Sequence, residues 1–219
     1  MTLKLAIFDC DGTLVDSQHN IVAAMDGAFS SAGLTPPSRQ ETLSIVGLSL
    51  VPAIAALLPG EAETLHIHLA ENYKSHFQGM RARGELGEPL FDGIAELLDE
   101  LEADDWLLGV ATGNSDKGLA HCLEVHGLMG RFVTLQTADR HPSKPHPSMI
   151  DQAMRDVGAD PENVIMIGDT SFDMAMAKAA GVRGLGVGWG YHAPELLFEA
   201  GAASVAMDSP ELGRHIGLP

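Results

Sequence analysis

The sequence predicts an α/β protein, a doubly wound parallel sheet interrupted after its first strand by an all-helical cap. Three observations carry that reading. Short apolar runs recur along the chain with helical stretches between most of them, the alternation of a parallel sheet. Residues 16–88 contain no such run, only amphipathic stretches. Carboxylates, hydroxyls and glycines follow where several of the runs end, and open parallel sheets bind ligands beyond those ends.

The first run, residues 3–8, is apolar enough for a buried strand, and Asp9-Cys10-Asp11-Gly12-Thr13 ends it with turn chemistry. Helices are expected over 21–32, 41–58 and 61–77, the second introduced by the capping-box pattern Ser38-Arg39-Gln40-Glu41. Gly47 interrupts that second stretch, as a packing kink or as a loop facing a ligand. Gly84, Gly87 and Pro89 mark the return crossing. Further strands are expected at 106–112, 132–137, 164–167 and 184–187, with a last short one after the small-residue stretch 200–203. Helix starts are signalled at Asn114 or Ser115, at Pro147-Ser148, at Thr170 and at Ser209-Pro210. The expected architecture is a Rossmann-like core of residues 1–15 and 89–219, split by a helical cap of residues 16–88.

Composition narrows the function. A chain of 219 residues holds one ample core plus a small inserted module. No apolar run approaches the roughly 18 residues of a membrane span. The opening MTLKLAIFDCDG lacks the long apolar stretch of a secretory signal, so a cytoplasmic location is expected. Thirteen basic against thirty acidic side chains give a formal charge of −17, which repels nucleic acid and anionic membrane. An anionic substrate then needs local compensation from a bound cation and a few placed Lys or Arg residues. Cys10 and Cys122 are too few for a disulfide framework.

Residues two apart in a strand share a face, so Asp9 and Asp11 can begin on one side. Later segments deliver Thr112-Gly113-Asn114, Lys144-Pro145 and Gly168-Asp169 with Asp173 to the same rim. These types suit phosphoryl transfer. Carboxylates hold Mg2+, a hydroxyl and backbone N–H groups bind phosphate oxygens, and a lysine offsets charge between nucleophile and phosphorus. One carboxylate can serve as nucleophile while a second gives and then removes a proton.

In order and spacing these segments resemble the haloacid dehalogenase superfamily, over essentially the whole chain. The position of the helical insert is similar to the subfamily that includes phosphoglycolate phosphatases and β-phosphoglucomutases. The resemblance implies Asp9 as nucleophile and Mg2+ ligand, and Asp11 as acid/base that binds metal through its backbone carbonyl. It implies phosphate binding by Thr112 with Gly113 and Asn114, Lys144 paired with nucleophile and phosphate, and Asp169 and Asp173 at the metal. The dehalogenases of the family lack the second aspartate, so Asp11 argues for phosphate chemistry. Mutases carry Glu-Asp after the glycine of the last motif, where this chain has Asp169-Thr170. Hydrolysis of a small, phosphoglycolate-like monoester is therefore expected ahead of sugar phosphomutation, and both ahead of a non-catalytic binding module. The expected partner is a small phosphorylated metabolite, with the protein a monomer or homodimer.

Several residues keep two readings. Asp173 is both a candidate at the metal and the third helical residue after Thr170. Arg81 and Arg83 read as exposed linker residues or as groups neutralising a second substrate anion. Lys74 is the only cap lysine, the position type that phosphonate-cleaving relatives use for a Schiff base. His19 lies where a hinge can bring it near a leaving group, or is a surface imidazole. His66 and His68 read as solvated helix residues, Asp16 as a hinge or cap residue, and Cys10 as packed and outside the chemistry.

Overall fold

The computed structural model describes residues 3–218. Met1, Thr2 and Pro219, which the expected core ranges include, lie outside them. Six parallel strands form one sheet: β1 (Lys4–Phe8), β2 (Trp106–Thr112), β3 (Phe132–Thr137), β4 (Val164–Gly168), β5 (Arg183–Val187) and β6 (Ser204–Ala206). Their order is β3-β2-β1-β4-β5-β6. The chain runs outward from β1 first to one side and then to the other, which leaves a crevice beyond the carboxyl end of β1.

Burial on both faces explains why the strands read as continuous apolar runs. In β1, Ala6 and Phe8 join one core with Leu97 and Leu98 of α5 (Ile94–Ala103), Leu119 of α6 (Asp116–Val125) and Leu212 of α10 (Ser209–Ile216). Leu5 and Ile7 face the opposite core, with Met149 and Ile150 of α7 (Ser148–Val157) and Met176 of α8 (Ser171–Ala180). Each such side chain contributes about 1.5–3 kcal/mol when fully buried.

The remaining helices before α5 are α1 (Gln18–Ser31), α2 (Arg39–Ser44), α3 (Leu50–Leu57) and α4 (Glu63–Ala82). They pack around a cluster of their own that includes Met25, Phe29, Ile54 and Leu69. The two chain segments joining this helical layer to the sheet run side by side. Asp16 N–H donates to the Pro89 carbonyl at 2.8 Å, and Val15 bridges Leu90.

Helix starts follow local chemistry. Ser38 and Glu41 form the expected capping box, as do Thr170 and Asp173, and Ser115 accepts from Gly118 N–H at the start of α6. Asp208, one residue ahead of the expected signal, caps α10. Four expectations need correction. β1 begins at Lys4 rather than residue 3. The single helix over 41–58 is two, because Gly47 adopts φ +97°, a conformation that side-chain-bearing residues rarely adopt. The stretch over 61–77 continues to Ala82 as α4. His66 is buried rather than solvated, its Nε2 at 2.9 Å from the Leu58 carbonyl. It shares a face with Leu69 and Ala70 at helical spacing, and that stripe enters the cluster.

The sequence signalled neither α5 nor α9 (Pro194–Ala200). The first starts at Gly93 without a side-chain cap. No helix among the described residues is long and apolar enough to cross a membrane.

Leu98 is fully buried in α5, so Leu98→Ala is expected to lower the unfolding free energy by about 2–5 kcal/mol. Urea titration checks this, with Val125→Ala, at an exposed position, expected to change it by under about 0.5 kcal/mol.

Candidate active site

The chain leaves β1 at Phe8 and turns at once. Leu14 N–H bonds back to the Cys10 carbonyl, and Gly12 takes φ +87°. A Cβ on Gly12 would sit 2.3 Å from Asp169 Oδ2, so both the conformation and the close approach require glycine. This turn presents Asp9 to the end of the neighbouring strand β4. Asp9 Oδ1 accepts from Cys10 N–H at 2.7 Å and lies 2.9 Å from Lys144 Nζ. Asp9 Oδ2 is buried and has no hydrogen-bond partner among the described residues.

Lys144 is fully buried and also donates to Asp173 Oδ1 at 2.6 Å. Burial alone would lower its pKa, but Asp173 and Asp9 outweigh that and hold the ammonium protonated. The other oxygen of Asp173 accepts from Thr170 N–H and Oγ1, at 3.1 and 2.6 Å. The helix-cap role and the place in the carboxylate cluster therefore coexist. Asp169 accepts from Thr13 Oγ1 and from Tyr191 N–H, both at 2.9 Å.

Burial raises the pKa of Asp9 to about 7 against the pull of Lys144, with the Asp173 charge adding to the rise. Burial likewise raises Asp169 well above the usual range, helped by the charges of Asp9 and Asp173.

Asp11 faces a different environment. Its carboxylate accepts from Ser17 Oγ at 2.6 Å and from Asn114 Nδ2 at 3.3 Å. Burial raises its pKa, while the Ser17 bond, Lys144 and the Asn114 bond oppose the rise. Ser17 is in turn 3.2 Å from Tyr191 Oη.

Thr112 ends β2 fully inside, with its Oγ1 accepting from Asn114 N–H. Gly113 lies under the helical layer, where a Cβ would meet the carbonyls of Leu48 and Gly47 at 2.6 and 2.7 Å. Asp9, Asp11, Thr112, Gly113 and Asn114 line a cleft of about 350 Å3, closed on the other side by residues 45–53 and the α4 side chains Tyr73, Lys74, Phe77, Gln78 and Arg81. Residues 44–50, read from sequence as a kink or a ligand-facing loop, are that loop. Lys144, Asp169 and Asp173 lie behind the cleft floor.

Of the doubtful positions, Arg81 lines the cleft whereas Arg83 is exposed and paired with Glu85. His19 is exposed. Cys10 is buried with its Sγ 3.6 Å from that of Cys122. Asp16 binds the Gln18 amide.

Sequence reasoning missed Thr13, Ser17 and Tyr191 as partners of the acidic groups. A signal existed for Tyr191, since Gly188-Trp189-Gly190 follows β5 and opens onto the same rim. The contact itself joins residues far apart in sequence.

One oxygen each of Asp9, Asp169 and Asp173 lie within 4.8 Å of one another. Three carboxylates against one ammonium leave a local charge of −2. That deficit and the cluster of hard carboxylate oxygens fit a divalent cation such as Mg2+. The Asp11 carboxylate is directed to Ser17 and Asn114 instead.

A parallel sheet that gathers a carboxylate with an unpartnered oxygen, a buried lysine and two further buried carboxylates at one rim has the groups that phosphoryl transfer uses. A family model described as haloacid dehalogenase-like hydrolase matches residues 6–187, and the chain belongs to that family, as a phosphatase. It is similar to the probable phosphatase IndB of Dickeya dadantii, 35% identical over 94% of this chain and 89% of that one. It is also similar to the phosphoglycolate phosphatase of Vibrio parahaemolyticus, 28% identical over 96% and 94%. A solved hydrolase from Pseudomonas syringae superposes with a TM-score of 0.85 at 25% identity, covering 99% and 98% of the two chains.

Replacing Lys144 by Met leaves Asp9 and Asp173 buried without their cation. The variant is expected to lose about 3–5 kcal/mol of stability in metal-free buffer, read by urea titration.

Proposed function

We propose that the protein hydrolyses a small phosphate monoester, phosphoglycolate-like in class, through a phosphoaspartate on Asp9, with Mg2+ as cofactor. The observation that carries this is Asp9 Oδ2, a buried carboxylate oxygen left without a hydrogen bond at the floor of the cleft while Lys144 and Cys10 N–H hold its partner oxygen. An oxygen so oriented is free to attack. In this reading residues 16–88 act as a cap whose closure excludes water.

In the first step Asp9 Oδ2 forms a bond to phosphorus as the ester P–O bond breaks, and the Asp11 carboxyl gives its proton to the leaving oxygen. In the second, Asp11 takes a proton from water, whose oxygen bonds to phosphorus as the bond to Asp9 breaks. Phosphate leaves, and both aspartates return to their starting states. The raised pKa of Asp11 suits a group that begins protonated. The Ser17 and Asn114 bonds fix its direction. Lys144 stabilises charge between Asp9 and the phosphoryl group. The Thr112 hydroxyl and the N–H groups at Gly113 and Asn114 suit the phosphoryl oxygens. Mg2+ held by Asp9, Asp169 and Asp173, and by the Asp11 carbonyl as the family resemblance implies, supplies positive charge to those oxygens when bound.

Asp9→Asn is expected to abolish Mg2+-dependent phosphate release across a panel of monoesters, and wild-type turnover in that variant would remove the mechanism. Asp11→Ala should lower kcat on alkyl phosphates by about 10²–10⁴. The loss should be smaller on 4-nitrophenyl phosphate, whose leaving group needs no proton. Interconversion of sugar phosphates without phosphate release would instead identify a mutase. Chelation should stop turnover and Mg2+ restore it. A metal held at 100 times its Kd should add about 2.7 kcal/mol of stability, measurable as a rise in Tm that Asp169→Ala removes.

A further inference from the structure

Helix α4 has two working faces. Leu69 and Ala70 point into the apolar cluster of the helical layer, whereas Lys74, Phe77, Gln78 and Arg81, at helical spacing, line the cleft. In a chain with 13 basic side chains against 30 acidic ones, a cation near the interior is expected to meet a carboxylate. Buried Lys144 meets two, and half-buried Arg131 also pairs with two.

Arg81 does not, nor does Lys74, among the described residues. The Arg81 guanidinium instead lies 5.8 Å from the centre of the Phe77 ring, within reach of a cation–π contact. Its Nε–H is buried with no acceptor. Glu88 is the carboxyl nearest in electrostatic reach, but it forms no ion pair with Arg81 within 4.0 Å among the described residues. A half-buried guanidinium held by an aromatic ring, with an unanswered donor, is a site awaiting an anion.

We propose that Arg81, assisted by Lys74, is a specificity site for a second anionic group on the substrate, a carboxylate or phosphate separated from the ester by an apolar body. The body is required by the walls between the two ends, where Met25, Leu50 and Phe77 line the cleft. Space of about 350 Å3 is in the range of pockets for small-molecule ligands and leaves room for a body between the ester and a phosphoglycolate-like second anion. The proposal rests on the phosphatase reading for the position of the ester and extends it to the far end of the substrate.

The test uses matched pairs of one skeleton, benzyl phosphate and 4-carboxybenzyl phosphate, with wild type, Arg81→Ala and Arg81→Lys. Wild type is expected to favour the carboxylated ester at least about tenfold in kcat/KM, chiefly through KM, the size of one charge-assisted hydrogen bond. Arg81→Ala should bring the ratio to near one, and Arg81→Lys should restore part of it by charge without the planar fork. A wild-type ratio near one, or a ratio that Arg81→Ala leaves unchanged, overturns the proposal. Calorimetric binding of the matching non-hydrolysable methylenephosphonates to wild type and Arg81→Gln separates the two readings. A preserved carboxylate preference in binding without any hydrolysis indicts the phosphatase reading alone. Hydrolysis of both esters with no preference in either measurement indicts the anion site alone.

Discussion

The site depends on one buried ammonium. Lys144 Nζ lies within 2.9 Å of Asp9 and 2.6 Å of Asp173 with no solvent exposure on its side chain. Those two carboxylates, with Asp169, would otherwise repel one another inside a low-dielectric crevice. One positive charge cannot balance three negative ones. Burial, with the charges the clustered carboxylates place on one another, holds the carboxyl groups of Asp9 and Asp169 above the usual range. Such a cluster, with oxygens of Asp9, Asp169 and Asp173 within 4.8 Å of one another, has the charge and donor set that suit a divalent cation.

Bringing these groups together is a matter of topology. Asp9 follows β1, Thr112 ends β2, Lys144 follows β3, Asp169 follows β4 and Tyr191 follows β5. In a parallel sheet of this order all five segments leave at the same rim. The loop at residues 44–50 then closes over them from the helical layer. Gly47 approaches Thr170, Ser49 N–H donates to Ser143 Oγ at 2.9 Å, and the Ser44 carbonyl accepts from His192 Nε2. His192 Nδ1 accepts from Ser171 N–H, which leaves the proton on Nε2. The helical layer is thus seated directly on the loops that carry the chemistry.

Much of this was legible in the sequence because the signals are local. A strand buried on both faces must be apolar throughout, and the runs at β2 and β3 were read to the residue. Thr170 with Asp173, and Ser38 with Glu41, declare their helices through side chains three residues apart. Other features were not local. The helix α5 begins at a glycine with positive φ, which carries no capping signature. His66 looked solvated when considered beside His68, but its fate was decided by Leu69 and Ala70 on the same helical face. Ser17, Asn114 and Tyr191 meet around Asp11 only after the sheet forms, so no spacing rule exposes that network. The ambiguity of Arg81 and Arg83 was likewise resolved by tertiary structure, since two positions along one helix end separate a cleft residue from an exposed one.

The two aspartates of the first loop illustrate how one turn yields two kinds of carboxyl group. Asp9 is buried and Asp11 partly so, and the loss of water raises both pKa values. Asp9 touches an ammonium and has one oxygen left bare, a combination that favours the charged, attacking form once the remaining charge of the cluster is met. Asp11 touches only neutral donors, Ser17 and Asn114, which oppose the rise from burial less strongly than an ammonium in contact would. The intervening Cys10 points the other way into the core beside Cys122 and anchors the turn that sets the two apart. The two carboxyl groups therefore differ through the partners that tertiary structure supplies, Lys144 for Asp9 and Ser17 for Asp11, although the sequence writes both as the same residue.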